Sequence, residues 1–178
     1  MQLKTLPNVV TGFGFVLTAI YAWAYLTSHS VLVLPAFLLA GSTDLLDGYL
    51  ARRLNQISPL GACLDPIRDR LLSLATLVNL VLIYPSRGVL GSAVTIVVFE
   101  LGIIALNTVR GFPQPVHPFG RVRNGIQATG GVLLLSSYYA HPFLREGTQN
   151  AIFTLMAICS CTAFLGYATR PPATPATR

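Results

Sequence analysis

Charge is the scarcest property of this chain. Lysine, arginine, aspartate and glutamate together make up 10% of its 178 residues, against about 25% in an ordinary water-soluble domain. Acids are rarer still, with 6 aspartates and glutamates against 12 lysines and arginines. Because 53% of the residues are hydrophobic, the composition excludes an ordinary soluble domain.

Cysteine is also scarce. Cys63, Cys159 and Cys161 show no spacing typical of a metal site, and they do not make a disulfide framework. We interpret all three as small apolar packing residues.

Long hydrophobic runs take the place of the missing charge. They lie at 8–27, 31–43, 71–84, 89–109, 126–140 and 150–168. A helix needs roughly 20 mostly apolar residues to cross a bilayer, and the runs reach this length, some only with their polar flanks included. The prediction is an all-α integral membrane protein, a bundle of about six transmembrane helices. It forms one domain over residues 1–170, followed by a disordered cytoplasmic tail at 171–178.

Turn-forming residues place the connections between these helices. External turns are expected at 27–30 and 84–88, and NQISP at 55–59 should separate a second helix, Val31–Leu54, from a third, Leu60–Tyr84. The prolines of GFPQPVHPFG at 111–120 exclude a regular helix there. HPFLREGTQN at 141–150 should join the last two helices.

The net charge of +6 is explained by topology. If the N-terminus is cytoplasmic, only Arg87 and Arg145 fall outside, and all other basic residues fall inside. This asymmetry orients membrane proteins. The prediction is a multi-pass protein of the plasma (inner) membrane, with both termini cytoplasmic and no nucleic-acid partner.

Four of the acids are gathered in one stretch, DLLDGYLARRLNQISPLGACLDPIRD at 44–69. Asp44 and Asp47 are spaced i, i+3, while Asp65 and Asp69 are spaced i, i+4, so each pair shares one helix face. A short turn between the two helices makes them antiparallel neighbours. All four carboxylates can therefore converge near the cytoplasmic end of the bundle, where their repulsion needs a compensating group.

Two explanations compete for this acid cluster. The first is structural ion pairing with nearby arginines, namely Arg52, Arg53, Arg68 and Arg70. Arg53, Arg68 and Arg70 are offset from the carboxylate face, however. Ion pairing also does not require small residues, and the stretch contains Gly48, Ala51 and Gly61. The second explanation is a metal site, because oxygen-only ligands suit Mg²⁺ or Mn²⁺. Four carboxylates can hold two ions some 4 Å apart, an arrangement suited to displacement at phosphorus. We favour the metal site.

The same stretch resembles the signature of a known family. It fits D-x-x-D-G-x-x-A-R-x₈-G-x-x-x-D-x-x-x-D at every position, the pattern of the CDP-alcohol phosphatidyltransferases. The resemblance implies an integral membrane enzyme that transfers a phosphatidyl group from CDP-diacylglycerol to an alcohol and releases CMP.

Site residues also follow from the resemblance. It implies that the four aspartates hold two Mg²⁺ or Mn²⁺ ions per site and that Asp69 is the general base. The nucleotide would be bound by six residues: Asn8, Thr11, Asp44, Gly48, Ala51 and Arg52. It also implies a homodimer, in keeping with small residues on the later helices.

The acceptor alcohol is predicted from a second motif. GRVRN at 120–124 resembles the G-K-x-K-T stretch of phosphatidylglycerophosphate synthases, so Arg121 and Arg123 would bind the phosphate of glycerol 3-phosphate. Those enzymes carry an Arg-Glu pair where this chain has Phe99 and Glu100. Either Arg110 supplies the missing charge, or the acceptor is phosphatidylglycerol or inositol phosphate.

Two non-enzymatic functions also fit part of the sequence. An ion transporter would carry acids at several depths, but here they are concentrated at one end. An inactive scaffold of the same family would be expected to lack one of the aspartates, and all four are present. Both alternatives are therefore disfavoured.

Overall fold

The computed structural model describes residues 6–54, 59–110 and 118–169. Within these ranges the chain forms six α-helices and no strand, which confirms the predicted all-helical fold. The helices are α1 (Leu6–Leu26), α2 (Ser30–Arg53), α3 (Pro59–Ile83), α4 (Arg87–Val109), α5 (Pro118–Tyr139) and α6 (Glu146–Ala168).

The two longest predicted connections are shorter than expected, and residues 87–88 of an expected external turn belong to α4. Residues 118–120 belong to α5, and residues 146–150 belong to α6. Pro118 is the first residue of α5, where proline is favoured because the first amide of a helix has no partner within the helix. The tail at 171–178 and the rest of the proline-rich stretch lie outside the described residues.

The chain divides into two compact units. The first comprises Met1–Leu80 and Leu135–Phe143, and the second comprises Val81–Leu134 and Leu144–Arg178. Each has its own buried side chains, so each is described separately.

In the first unit α1 packs against α2. The buried apolar residues recur at helical spacing, with Leu17, Tyr21 and Ala24 on α1 and Val33, Phe37 and Ala40 on α2. This spacing places each set on one face of its helix.

The turn between α1 and α2 is closed by two backbone hydrogen bonds, from Ser28 N to Tyr25 O and from His29 N to Ala24 O. Ser28 adopts the left-handed conformation with φ of 63°, as such a helix ending requires. Beside it the rings of Trp23 and His29 stack with their centroids 4.6 Å apart.

A buried polar cluster joins three helices of the first unit. Asn79 of α3 donates to the Tyr21 hydroxyl of α1 at 3.1 Å. The Tyr139 hydroxyl of α5 donates to the Asn79 side-chain oxygen at 3.0 Å. Asn79 is only 1% exposed, and these bonds offset the cost of burying its amide.

In the second unit α4 packs closely against α6. Ser86 caps α4 by accepting from Val89 N, and its hydroxyl donates to Asn150 of α6. Further along, a Cβ on Gly102 would lie 2.7 Å from Cε2 of Phe164. Glycine at this position therefore allows α6 to approach the α4 backbone.

Large apolar side chains cover much of the outer surface. On α1, Val9, Phe13 and Trp23 are at least half exposed, whereas Arg68 and Asn79 are buried. By length and composition α1 (over Val9–Leu26), α4 and α6 could each cross a membrane. The protein is therefore a membrane protein, and crossing by all six helices remains a prediction.

Two glycines of α4 provide a matched test of this packing. We expect Gly102→Ala to lower stability by about 1–3 kcal/mol, because its methyl group would overlap the Phe164 ring. Gly91→Ala should instead raise stability by about 0.5–1 kcal/mol, since a Cβ there meets nothing within 4 Å and alanine favours the helix. Thermal unfolding in detergent, followed by circular dichroism, measures both. A Gly102→Ala protein as stable as wild type would contradict the α4–α6 contact.

Candidate active site

The first half of the acidic signature lies on α2. This helix runs unbroken through positions 44, 47, 48, 51 and 52, so the two aspartate positions are one turn apart on the same helix. The side chains at these positions, and that of Asn8 on α1, lie outside the described part of the structure. Their assigned roles therefore stay predictions.

The second half of the signature lies on α3, where Asp65 is held by α1. The Thr11 hydroxyl donates to Oδ1 of Asp65 at 3.2 Å, and Thr11 is 2% exposed. A buried donor of this kind fixes the orientation of a carboxylate. Thr11 was also predicted to contact the nucleotide, and that role stays a prediction; the hydrogen bond described here joins it to a predicted metal ligand.

Asp69 follows one helical turn after Asp65. Its side chain is 46% exposed, and Oδ1 lies 3.7 Å from Nη2 of Arg68, whose side chain is 1% exposed. The carboxylate is thus accessible on one side and faces a buried cation on the other.

Arg68 was predicted to be offset from the acidic face, yet among the described residues it is the largest fully buried side chain. A Cβ on Gly14 would lie 2.6 Å from Nη1 of Arg68, 2.9 Å from its Cδ and 2.8 Å from Oγ1 of Thr43. The guanidinium group therefore lies directly against the α1 backbone beside α2.

A sequence signal for this contact does exist. Thr11, Gly14 and Thr18 lie on one face of α1, and the Thr18 hydroxyl donates to Gly14 O. A stripe of small and polar residues along an apolar helix indicates a polar neighbour. The sequence alone did not identify Arg68 as that neighbour.

The described acids are of the chemical type that binds a divalent cation. Asp65 and Asp69 present only oxygen ligands, one helical turn apart, and oxygen-only sites suit Mg²⁺ and Mn²⁺. In the described part of the chain no three histidine, cysteine or acidic residues form a group that could hold a metal. That part includes the side chains of only two of the four predicted ligands.

Ion pairing also contributes at this site, in part as the alternative explanation predicted. Arg68 pairs with Asp69. Arg53 instead donates to the Tyr49 hydroxyl at 3.0 Å and lies over the Tyr49 ring.

In the second unit Arg123 forms an ion pair with Glu100. Nη1 of Arg123 on α5 lies 2.9 Å from Oε1 of Glu100 on α4, and the two side chains are 10% and 15% exposed. Nε and Nη2 both donate to Asn124 Oδ1, at 3.2 and 2.8 Å. Arg123 thus partners the glutamate that was expected to lack an arginine.

The other two predicted acceptor-binding arginines lie in different environments. Arg110 donates to the Tyr167 carbonyl and, at 3.0 Å, to the Ala168 carbonyl. It therefore caps the C-terminus of α6, where a cation is favoured, and its predicted role at the acceptor site stays a prediction. Arg121 is exposed on the first turn of α5.

Comparison with known proteins agrees with the motif. A family model described as CDP-alcohol phosphatidyltransferase matches residues 4–167. The cardiolipin synthase (CMP-forming) of Streptomyces coelicolor is 30% identical over 182 residues, which cover 94% of this chain and 77% of that protein.

Two other relatives match over shorter segments. The CDP-diacylglycerol–glycerol-3-phosphate 3-phosphatidyltransferase of Pseudomonas fluorescens is 43% identical over 84 residues, 43% of this chain and 40% of that protein. The human CDP-diacylglycerol–inositol 3-phosphatidyltransferase is 37% identical over 79 residues, 44% of this chain and 37% of that protein. The match thus spans less than half the length of these two curated relatives. Because the family model spans nearly the whole chain, including the complete acidic signature, the chain belongs to the CDP-alcohol phosphatidyltransferase family.

Proposed function

We propose that this protein transfers the phosphatidyl group of CDP-diacylglycerol to glycerol 3-phosphate and releases CMP. Family membership supports the reaction type. The observation that carries the proposal is the arrangement on α3, where Thr11 orients Asp65 and the half-exposed Asp69 follows one turn later. This arrangement supplies an ordered carboxylate and an accessible one on the same helix.

The residue roles follow the signature. Asp44, Asp47, Asp65 and Asp69 would hold two Mg²⁺ or Mn²⁺ ions, in a family whose members are generally dependent on divalent metals. When bound, the ions neutralise charge on the pyrophosphate and on the departing CMP. The CDP group would be contacted by Asn8, Thr11, Asp44, Gly48, Ala51 and Arg52.

Asp69 is the proposed general base. The acceptor oxygen attacks the phosphorus of the phosphatidyl group, the bond from that phosphorus to the CMP oxygen breaks, and the hydroxyl proton passes to Asp69. A carboxylate can take this proton from within about 3 Å. The accessible side of Asp69 is compatible with such an approach.

We expect Asp69→Asn to reduce kcat about 10²–10⁴-fold, because an amide cannot accept the proton. CMP release by the purified protein, with CDP-diacylglycerol and each acceptor, measures the effect. Glu146→Gln is the matched control, since Glu146 is an exposed acid at the start of α6 with no proposed catalytic role. Equal activity of Asp69→Asn and wild type would exclude the assigned role.

Chelation of divalent ions should abolish CMP release, and Mg²⁺ or Mn²⁺ should restore it, because the proposed ligands are all carboxylates. Circular dichroism before and after chelation checks that the helices remain folded. Full activity in excess EDTA would contradict the metal site.

Glycerol 3-phosphate is the proposed acceptor for two reasons. GRVRN at 120–124 resembles a phosphate-binding stretch, and the name of the Pseudomonas relative includes glycerol 3-phosphate as a substrate. We propose that Arg110, Arg121 and Arg123 bind its phosphate. The exposure of Arg121 makes it the best single test. Phosphatidylglycerol is the second candidate, since the relative named cardiolipin synthase matches over 94% of this chain.

We expect Arg121→Gln to raise the KM for glycerol 3-phosphate about 10-fold, the loss of one charged hydrogen bond. Arg87→Gln, an exposed arginine at the start of α4, should leave that KM unchanged. Parallel assays with glycerol 3-phosphate, phosphatidylglycerol, inositol phosphate and inositol identify the acceptor. CMP release with phosphatidylglycerol alone would keep the reaction type and replace the acceptor.

The remaining features are proposed from the charge pattern and from the family. Basic residues concentrate on one predicted side of the membrane, which supports cytoplasmic termini and a cytoplasmic active site. We propose the plasma (inner) membrane as the location. We also propose a homodimer, which cross-linking in native membranes would detect.

A further inference from the structure

We propose that Arg68 is a positioning residue, whose buried guanidinium, packed against Gly14, holds the Asp69 carboxylate in its reactive orientation. This inference rests on the proposed function of Asp69. It extends that function to Arg68 and Gly14, neither of which is a fixed position of the acidic signature.

The side chains of Arg68 and Asp69 differ in burial. Arg68 is 1% exposed and Asp69 is 46% exposed, at an Nη2–Oδ1 separation of 3.7 Å. Adjacent residues of a helix project about 100° apart, so Arg68 points into the unit while Asp69 points outward. The buried cation lies behind the carboxylate and leaves its outer side accessible.

The Arg68 guanidinium occupies the space that the missing side chain of Gly14 leaves beside α1. A methyl group at position 14 would lie 2.6 Å from Nη1 and 2.9 Å from Cδ of Arg68. Gly14 is therefore the residue that admits this side chain. Oγ1 of Thr43 would lie 2.8 Å from the same methyl group, so α2 also lies close to Gly14 at this point.

Burying the positive charge of Arg68 costs free energy. Arginine stays protonated under all ordinary conditions, and burying an ion costs several kcal/mol unless it is paired. An apolar residue would fill the same space without that cost. A buried arginine beside the proposed general base is therefore better explained by a role in orienting it than by filling space.

The central test compares two glycines of α1. Gly14→Ala should displace the Arg68 guanidinium while keeping its charge. Gly12→Ala is the matched control, because a Cβ at that position meets nothing within 4 Å. We expect Gly14→Ala to lower kcat about tenfold with little change in the KM for CDP-diacylglycerol, as loss of a partner that orients a ligand does. Gly12→Ala should match wild type.

Substitutions of Arg68 itself provide the second arm. Arg68→Lys should retain more of kcat than Arg68→Met, because lysine keeps the charge. Arg53→Met, at an exposed arginine bound to Tyr49, is the control. Combining Gly14→Ala with Arg68→Met should give a smaller loss than the product of the two single effects, because both act through the same contact.

Mn²⁺ binding, measured by electron paramagnetic resonance, gives a readout independent of turnover. We expect Gly14→Ala to bind Mn²⁺ about tenfold more weakly. Arg68→Met distinguishes two roles. Weaker binding supports positioning, whereas tighter binding with unchanged kcat would mean that Arg68 is only a counter-charge and would overturn the proposal.

The outcomes separate this inference from the proposed function. Wild-type protein that releases no CMP with any acceptor contradicts the function. Active wild type with an equally active Gly14→Ala protein of unchanged Mn²⁺ affinity contradicts only the role of Arg68. If Arg68→Met does not fold, the Gly14 and Gly12 pair still decides the question.

Discussion

A charged group inside an apolar helical bundle is stable only beside a partner, and this constraint organises both units. Removing an ion from water costs several kcal/mol before any compensation. In the first unit Asp65 accepts a hydrogen bond from the Thr11 hydroxyl, and Asp69 lies beside Arg68. In the second unit Glu100 pairs with Arg123. The small residue Gly14 follows from the same need, because a larger side chain would exclude the Arg68 guanidinium.

Hydrophobic runs and turn residues were sufficient to predict the all-helical fold. They did not predict where α5 and α6 begin. These helices start at Pro118 and Glu146, inside stretches that were assigned to connections. Proline and short polar stretches mark helix starts as well as loops. Hydropathy does not distinguish a helix start from a loop. The difference depends on whether the residues that follow pack against another helix.

Sequence spacing predicted the acidic residues of the candidate site, because residues three or four apart on a helix share one face. The i, i+4 aspartates of α3 were found from the sequence, whereas Arg68 was missed because its burial depends on a glycine on another helix. Arg110 and Glu100 show the same limit, since a sequence does not tell which carbonyl or carboxylate a long side chain will reach. Arg110 reaches the end of α6 and Arg123 reaches Glu100. Recognition of a phosphate by Arg123 would have to compete with this internal carboxylate, so Glu100 would help to set the affinity for the acceptor.

The stacking of Trp23 on His29 has a consequence for spectroscopy. Trp23 is the single tryptophan of the sequence, so all tryptophan emission originates at the end of α1, in the first unit. Fluorescence therefore reports the local environment of that turn, while circular dichroism averages over the helices of both units. Denaturation curves from the two signals coincide only if the units unfold together. The protein thus carries a built-in optical test of the cooperativity between its two halves.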